Sequence, residues 1–216
     1  GTIGQLLGQV LPRAFGAAKR VRSETDIARS SASVASVAVD LSKRIFSDLS
    51  GREVLVVGAG EMGELAAKHL VSSGCGKLHV VNRTRSRGED VVGRIREGGH
   101  DAEAHGWDAL PQMLVRADVV VCSTGAPDPV VTRDMVKTAM KARKGRWLCL
   151  LDIAVPRDID PAAGRVDNVY LYDVDALTRI VDENMAERRR EAEAAERIVG
   201  EEVRRLQDGW KALGAV

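Results

Sequence analysis

The stretch Val54-Leu-Val-Val57, followed at once by Gly58-Ala-Gly60-Glu-Met-Gly63, constrains this chain more than any other. Four apolar residues in a row, without polar alternation, belong to a strand covered on both faces, as in a parallel sheet. Three glycines then stand where such a strand must turn into a helix. Gly58 permits the tight turn, Gly60 keeps the backbone open to close approach, and Gly63 lets helix and strand pack together. A helix opening at Glu61 would direct its unpaired amides and the positive end of its dipole at an anion, so the segment predicts a pyrophosphate-binding turn.

The remainder of the chain continues this alternation. Strands are expected at Glu53–Val57, Lys77–Val81, Asp118–Cys122, Trp147–Ile153 and Val169–Tyr172, with helices at Glu61–Ser73, Arg85–Glu97, Trp107–Arg116 and Thr132–Ala142. The fold class is therefore α/β, a Rossmann-type doubly wound parallel sheet with a long C-terminal α-helix. That last helix is read from Asp173–Leu213, a proline-free run rich in Glu, Arg and Ala, roughly 60 Å long at helical rise. Ala195, Val199, Val203, Leu206, Trp210 and Leu213 give it a near-heptad apolar seam, and Glu193/Arg197 and Glu201/Arg205 are spaced for i,i+4 pairing. Upstream, Leu7, Leu11, Ala14, Ala18 and Val21 form one helical stripe, with Pro12 expected to kink the helix or mark its start. Val34, Val37, Ala38, Leu41 and Ile45 make a second amphipathic helix.

The chain has 216 residues, 44% of them hydrophobic and 29% charged, enough for one α/β domain plus an extended element. With 32 Lys+Arg against 31 Asp+Glu the net charge is +1, so no global field favours nucleic acid or an anionic membrane. No apolar run reaches the roughly 18 residues of a membrane span. Cys75, Cys122 and Cys149 are odd in number and far apart, which argues against a disulfide framework and fits a reducing, cytoplasmic setting. The four histidines are scattered along the sequence, so no metal site is expected. The first residue is Gly1 rather than Met, the opening expected of an excerpt from something longer.

Which dinucleotide the turn accepts is decided at the end of the second strand. An Asp or Glu there would hold a ribose 2′-hydroxyl; instead the sequence reads Val81-Asn82-Arg83-Thr84. With no carboxylate to repel a 2′-phosphate and a guanidinium fork to bind it, NADPH is favoured over NADH. The small-residue loop Ser123-Thr-Gly-Ala126 follows another strand at its carboxyl end, where the nicotinamide half would lie. The cofactor-binding candidates are accordingly Gly58, Ala59, Gly60, Glu61, Met62, Gly63, Asn82, Arg83, Thr84, Ser123, Thr124, Gly125 and Ala126, with Asp152 and Ala154 expected to line the same crevice. Asp158 and Asp160 are read as turn caps.

Several segments together resemble glutamyl-tRNA reductase: Ala18-Lys-Arg-Val-Arg-Ser-Glu-Thr-Asp-Ile27, the glycine motif, Asn82-Arg-Thr84, Ser123-Thr-Gly-Ala-Pro127, Asp152-Ile-Ala-Val-Pro-Arg-Asp-Ile-Asp-Pro161 and Leu171-Tyr-Asp-Val-Asp-Ala-Leu177 leading into Glu183-Asn-Met-Ala-Glu-Arg188. The glycine motif and Asn-Arg-Thr are shared with shikimate dehydrogenases; Gly-Glu-Met, Asp-Ile-Ala-Val-Pro-Arg and the long helix are more specific. The resemblance implies an enzyme of tetrapyrrole (porphyrin) biosynthesis in which NADPH reduces glutamyl-tRNA to glutamate-1-semialdehyde through a cysteine thioester. In that family the cysteine lies in an amino-terminal domain upstream of the position matching Gly1, so no catalytic residue is assigned here. By the same resemblance, residues 1–28 are a remnant helix of that domain, 29–172 the NADPH-binding domain and 173–216 the start of a spinal, dimerising helix. The implied partners are glutamyl-tRNA, a downstream aminomutase and a second copy of the chain. The alternatives are a shikimate-dehydrogenase-like NADP oxidoreductase and a stand-alone, non-catalytic NADPH-binding dimer. Lys19, Arg20 and Arg22, with Arg188-Arg-Arg190, are the one local basis for RNA contact, and such clusters on helices are usually solvated faces.

Overall fold

The computed structural model describes residues 2–25 and 34–212, which divide into two compact units. One is Ser33–Val181; the other joins Gly1–Ala32 to Asp182–Val216. Asp26 and Ile27 of the quoted segments, and Leu213 of the apolar seam, lie outside the described residues.

The larger unit holds six parallel strands: β1 (Glu53–Val57), β2 (Lys77–Val81), β3 (Ala102–His105), β4 (Val119–Cys122), β5 (Leu148–Asp152) and β6 (Val169–Asp173), in the order β3-β2-β1-β4-β5-β6. The reversal between β1 and β4 is the switch point of a doubly wound sheet, and it opens a crevice at the strands' carboxyl ends. Five of these strands match the sequence reading to within a residue or two. β3 is an additional one: Ala-Glu-Ala-His is short, polar on alternate positions and at the sheet edge, so it carries no apolar run to announce it.

Alternate residues of the central strands feed two cores. Val54, Val56, Leu78, Val80, Val119, Val121, Cys149 and Leu151 face helices α2 (Val34–Phe46), α3 (Glu61–Ser72) and α4 (Arg85–Glu97), against Leu41, Ala66, Leu70, Val91 and Ile95. Leu55, Val57, Val81, Val120, Cys122, Leu148 and Leu150 face α5 (Leu110–Arg116) and α6 (Arg133–Ala142), against Leu114, Val136 and Ala139. Each fully buried Leu or Val contributes roughly 1.5–3 kcal/mol relative to exposure. The Trp107–Arg116 helix of the sequence reading is a 3₁₀ turn, Trp107–Ala109, running into α5.

Arg143 lies fully buried at the end of α6, where its guanidinium donates to the carbonyls of Leu114, Val115, Ala117 and Trp147 and pairs with Asp118 at 3.3 Å. It thereby satisfies backbone acceptors left open at the end of α5. Burial pulls its pKa down to about 10.

In the other unit, α1 (Thr2–Glu24) runs through Pro12 and begins well before it, so the proline does not mark its start. A missing N–H removes one hydrogen bond, which a helix continuing on both sides outlasts. The sequence's Glu201/Arg205 pair is not the one formed: Glu201 turns to Arg20 of α1 at 3.3 Å, while Arg205 pairs with Glu202 at 2.7 Å on α7 (Val174–Ala212). Arg20 also binds Glu24 and Glu202, a denser partner set than one intrahelical pair offers. Along the seam, Ala195 is buried with Ile198, whereas Val199 and Val203 are exposed.

Candidate functional site

The crevice at the switch point has a volume of about 480 Å³. Its floor is the turn from β1 into α3. Gly58 has φ +103°, a left-handed conformation that side chains resist, and a Cβ there would press on the carbonyl of Ser123. Gly63 packs so closely under the turn that a Cβ would meet the carbonyl oxygen of Gly58. At Gly60, by contrast, a Cβ would project into open space, so the absence of a side chain there leaves room for a ligand instead of relieving a clash. Gly60 is the N-cap of α3 with no capping side chain, and the first-turn amides are left to an outside acceptor.

Asn82 ties this turn to the end of β2. Its Oδ1 accepts from the Ala59 amide at 3.2 Å, and its Nδ2 donates to the Thr84 carbonyl at 2.8 Å. Asn82 is therefore committed to shaping the crevice. Arg83 and Arg87 both line it, and neither is in an ion pair or side-chain hydrogen bond among the described residues. On the far wall the loop after β4 brings Ser123, Thr124, Gly125 and Ala126.

Thr124 is anchored by Asp158, whose carboxylate accepts from its amide at 2.6 Å and from its hydroxyl. Asp158 is thus a brace for the crevice loop, not the turn cap that the sequence suggested; Asp160 does cap, accepting from the Ala162 amide at 2.8 Å. Burial holds the Asp158 carboxyl above its usual range, against the two hydrogen bonds from Thr124.

Ten sequence candidates meet in the crevice: Gly58, Ala59, Gly60, Asn82, Arg83, Thr84, Ser123, Thr124, Gly125 and Ala126. Glu61 and Met62 are exposed on the first turn of α3, and Gly63 is packed beneath it. Asp152 and Ala154 are buried outside the lining. The Asp152 carboxylate is occupied by the amides of Ala154 at 3.2 Å and Ile159 at 2.9 Å, which fixes the chain after β5. Arg87, Trp107, Pro127 and Val130 line the crevice without having been singled out. Arg87 lies on the first turn of α4, three residues past its N-cap Thr84, and the fold turns it to the crevice. Trp107 had no signal in the sequence, because it arrives from the connection after β3.

The chain belongs to the Shikimate / quinate 5-dehydrogenase family. Its model matches residues 40–180, the span that builds the sheet and the crevice. Over nearly the whole chain the similarity is to glutamyl-tRNA reductases. That of Syntrophus aciditrophicus is 50% identical over 203 residues, 94% of this chain and 47% of the relative. That of Magnetococcus marinus is 50% identical over 199 residues, 92% of this chain and 46% of the relative. The chain spans about half the length of the curated relatives it matches. Among solved structures, the glutamyl-tRNA reductase from Methanopyrus kandleri superposes with a TM-score of 0.83 at 36% identity, covering 96% of this chain and 51% of that one. The nucleotide-binding domain of the Thermoplasma volcanium enzyme, at 17% identity, shares the fold with a TM-score of 0.53, over 74% of this chain and 98% of that one. This is a Rossmann NAD(P)-binding fold, and no helix among the described residues is long and apolar enough to cross a membrane.

Proposed function

We propose that this chain binds NADPH in the crevice and serves as the nucleotide-binding portion of a glutamyl-tRNA reductase, the enzyme that reduces glutamyl-tRNA to glutamate-1-semialdehyde. The observation that carries the cofactor choice is the pair of guanidinium groups, Arg83 and Arg87, in the crevice wall just beyond β2, with no carboxylate among the lining residues. When bound, NADPH supplies a hydride for reduction. The chain's own residues position it: the amides of the α3 first turn hold the pyrophosphate, Arg83 and Arg87 the 2′-phosphate, and Trp107 offers the adenine an apolar wall. Asn82 and Asp158 keep the two sides of the crevice in register.

The three cysteines of the chain are poorly suited to act as thiolates. Desolvation pushes the Cys75 thiol up to about 11 and the Cys149 thiol up to about 12, and Cys122, wholly buried, well above its ordinary value. The acylating cysteine, the glutamyl-tRNA, the aminomutase that takes the product and a second copy held along α7 then belong to the complete protein, in a reducing cytoplasm. Titration of this chain with NADPH and NADH, compared with the Arg83→Ala Arg87→Ala variant, tests the reading. Selective NADPH binding that is lost in the variant is expected. Equal affinity for both nucleotides would overturn the choice of cofactor, and turnover of glutamyl-tRNA by this chain alone would overturn the assignment of roles.

A further inference from the structure

Parallel pairing of β2 with β3 sets His79 opposite Glu103 and Val81 opposite His105. Side chains two apart on a strand share a face, so His79, Glu103 and His105 converge on one side of the sheet. No β3 side chain belongs to the apolar core on that side; Ala102 and Ala104 pack on the other. His79 Nδ1 and His105 Nε2 are 3.0 Å apart, and each lies 3.9 Å from Glu103 Oε2. The point equidistant from these three atoms and coplanar with them is about 2.1 Å from each, the bond length of Zn²⁺ to imidazole nitrogen and carboxylate oxygen, and a tetrahedral ion requires the two imidazole nitrogens to part by a few tenths of an ångström.

The surroundings engage the other polar atoms of His79 and Glu103. His79 is fully buried, and its other nitrogen, Nε2, sits 2.9 Å from Glu53 Oε2. A proton on Nε2 donated to Glu53 leaves the Nδ1 lone pair directed at the cluster, the carboxylate–histidine–metal arrangement. Glu53 is held by Arg116 Nε at 3.0 Å, and Lys77 Nζ takes Glu103 Oε1 at 2.7 Å, leaving Oε2 to the imidazoles. Arg116 and Lys77 offset the two carboxylates. The site thus attracts a cation through its imidazoles and not through net negative charge, which favours a borderline ion over Ca²⁺ or Mg²⁺. Half-open Glu103 and His105 leave water access to a fourth position.

We propose that His79, Glu103 and His105 form a three-ligand Zn²⁺ site, completed by water, that clips the edge strand β3 to β2. The test is calorimetric titration of the tag-free, chelator-treated chain with ZnCl₂, together with thermal melts with and without the ion. One equivalent should bind, and melting should shift upward by several degrees, since an ion that binds only the folded chain stabilises it. Glu103→Gln and His105→Asn, both at partly exposed positions, should each weaken binding at least tenfold and lose the rise in melting that the ion gives the parent chain, each variant being compared with itself in chelator. His100→Asn should change nothing. Glu53→Gln should weaken binding less than either ligand variant. Should His79→Asn fail to fold, the two β3 variants still decide the matter. Equal Zn²⁺ binding by the parent chain and by His105→Asn, or no binding by the parent, would overturn the proposal and leave a metal-free hydrogen-bonded chain Glu53–His79–His105.

Discussion

In the crevice, Arg83, Arg87 and the first-turn amides of α3 have no side-chain partners among the described residues, whereas on the face of β2 and β3 that carries His79 the polar side chains are paired with one another. The crevice has Arg83, Arg87 and the uncapped amides of α3; the strand face has Glu53 bonded to His79 and Arg116, and Lys77 bonded to Glu103. The same sheet therefore carries two kinds of polarity. Groups with protein partners contribute to stability, and groups without them are left to recognise a ligand. Substitutions in the two regions should accordingly move different observables.

The largest effect is expected where the crevice itself depends on backbone shape. Gly58→Val forces a β-branched residue to φ +103° and drives its Cβ into the Ser123 carbonyl. It should abolish nucleotide binding and cost on the order of 3 kcal/mol in denaturant unfolding, since a strained left-handed residue adds to a backbone clash. Normal nucleotide affinity in a folded Gly58→Val protein would mean that the glycine turn is not the binding site.

Arg83→Ala Arg87→Ala should weaken NADPH about 10- to 100-fold by fluorescence titration, leave NADH unchanged and move stability by no more than about 0.5 kcal/mol. If unfolding shifted as much as binding, the two arginines would belong with the paired groups. Glu53→Ala makes the opposite prediction. In chelator it should cost about 1–3 kcal/mol, because buried His79 loses a partner, and NADPH affinity should stay as it was. A loss of NADPH binding would show that the two regions are coupled.

The smallest effect sharpens the role of burial in this contrast. Glu64 on α3 is bonded to Arg94 and Lys68 near solvent, which holds its carboxyl down to about 2. A folded-state pKa below the unfolded 4.5 contributes stability that is present above pH 4.5 and is lost as pH falls toward 2. Screening at this surface limits it, so Glu64→Gln should remove at most about 0.5 kcal/mol at pH 7 and flatten the acid limb of the stability profile. A larger loss at neutral pH would mean that exposure does not discount pairing here.

What the sequence determined by itself is what lies within a few residues of chain. The apolar runs, the helix periods and the Gly58–Gly63 turn are local patterns, and they were enough for the sheet class and for most of the crevice: glycines, Asn82 through Thr84 and Ser123 through Ala126. Arg87 was not among the residues that the sequence marked for the crevice. Tertiary structure decided the rest, because parallel pairing joins segments far apart and nothing local encodes its register. It turned Asp158 from a turn cap into the brace of Thr124, and it sent the Asp152 carboxylate to the amides of Ala154 and Ile159 instead of the crevice. Trp107 reaches the crevice only because β3 exists. Histidines scattered in the sequence gave no sign of a shared site, yet two of the four stand 3.0 Å apart once His79 and His105 occupy neighbouring strands.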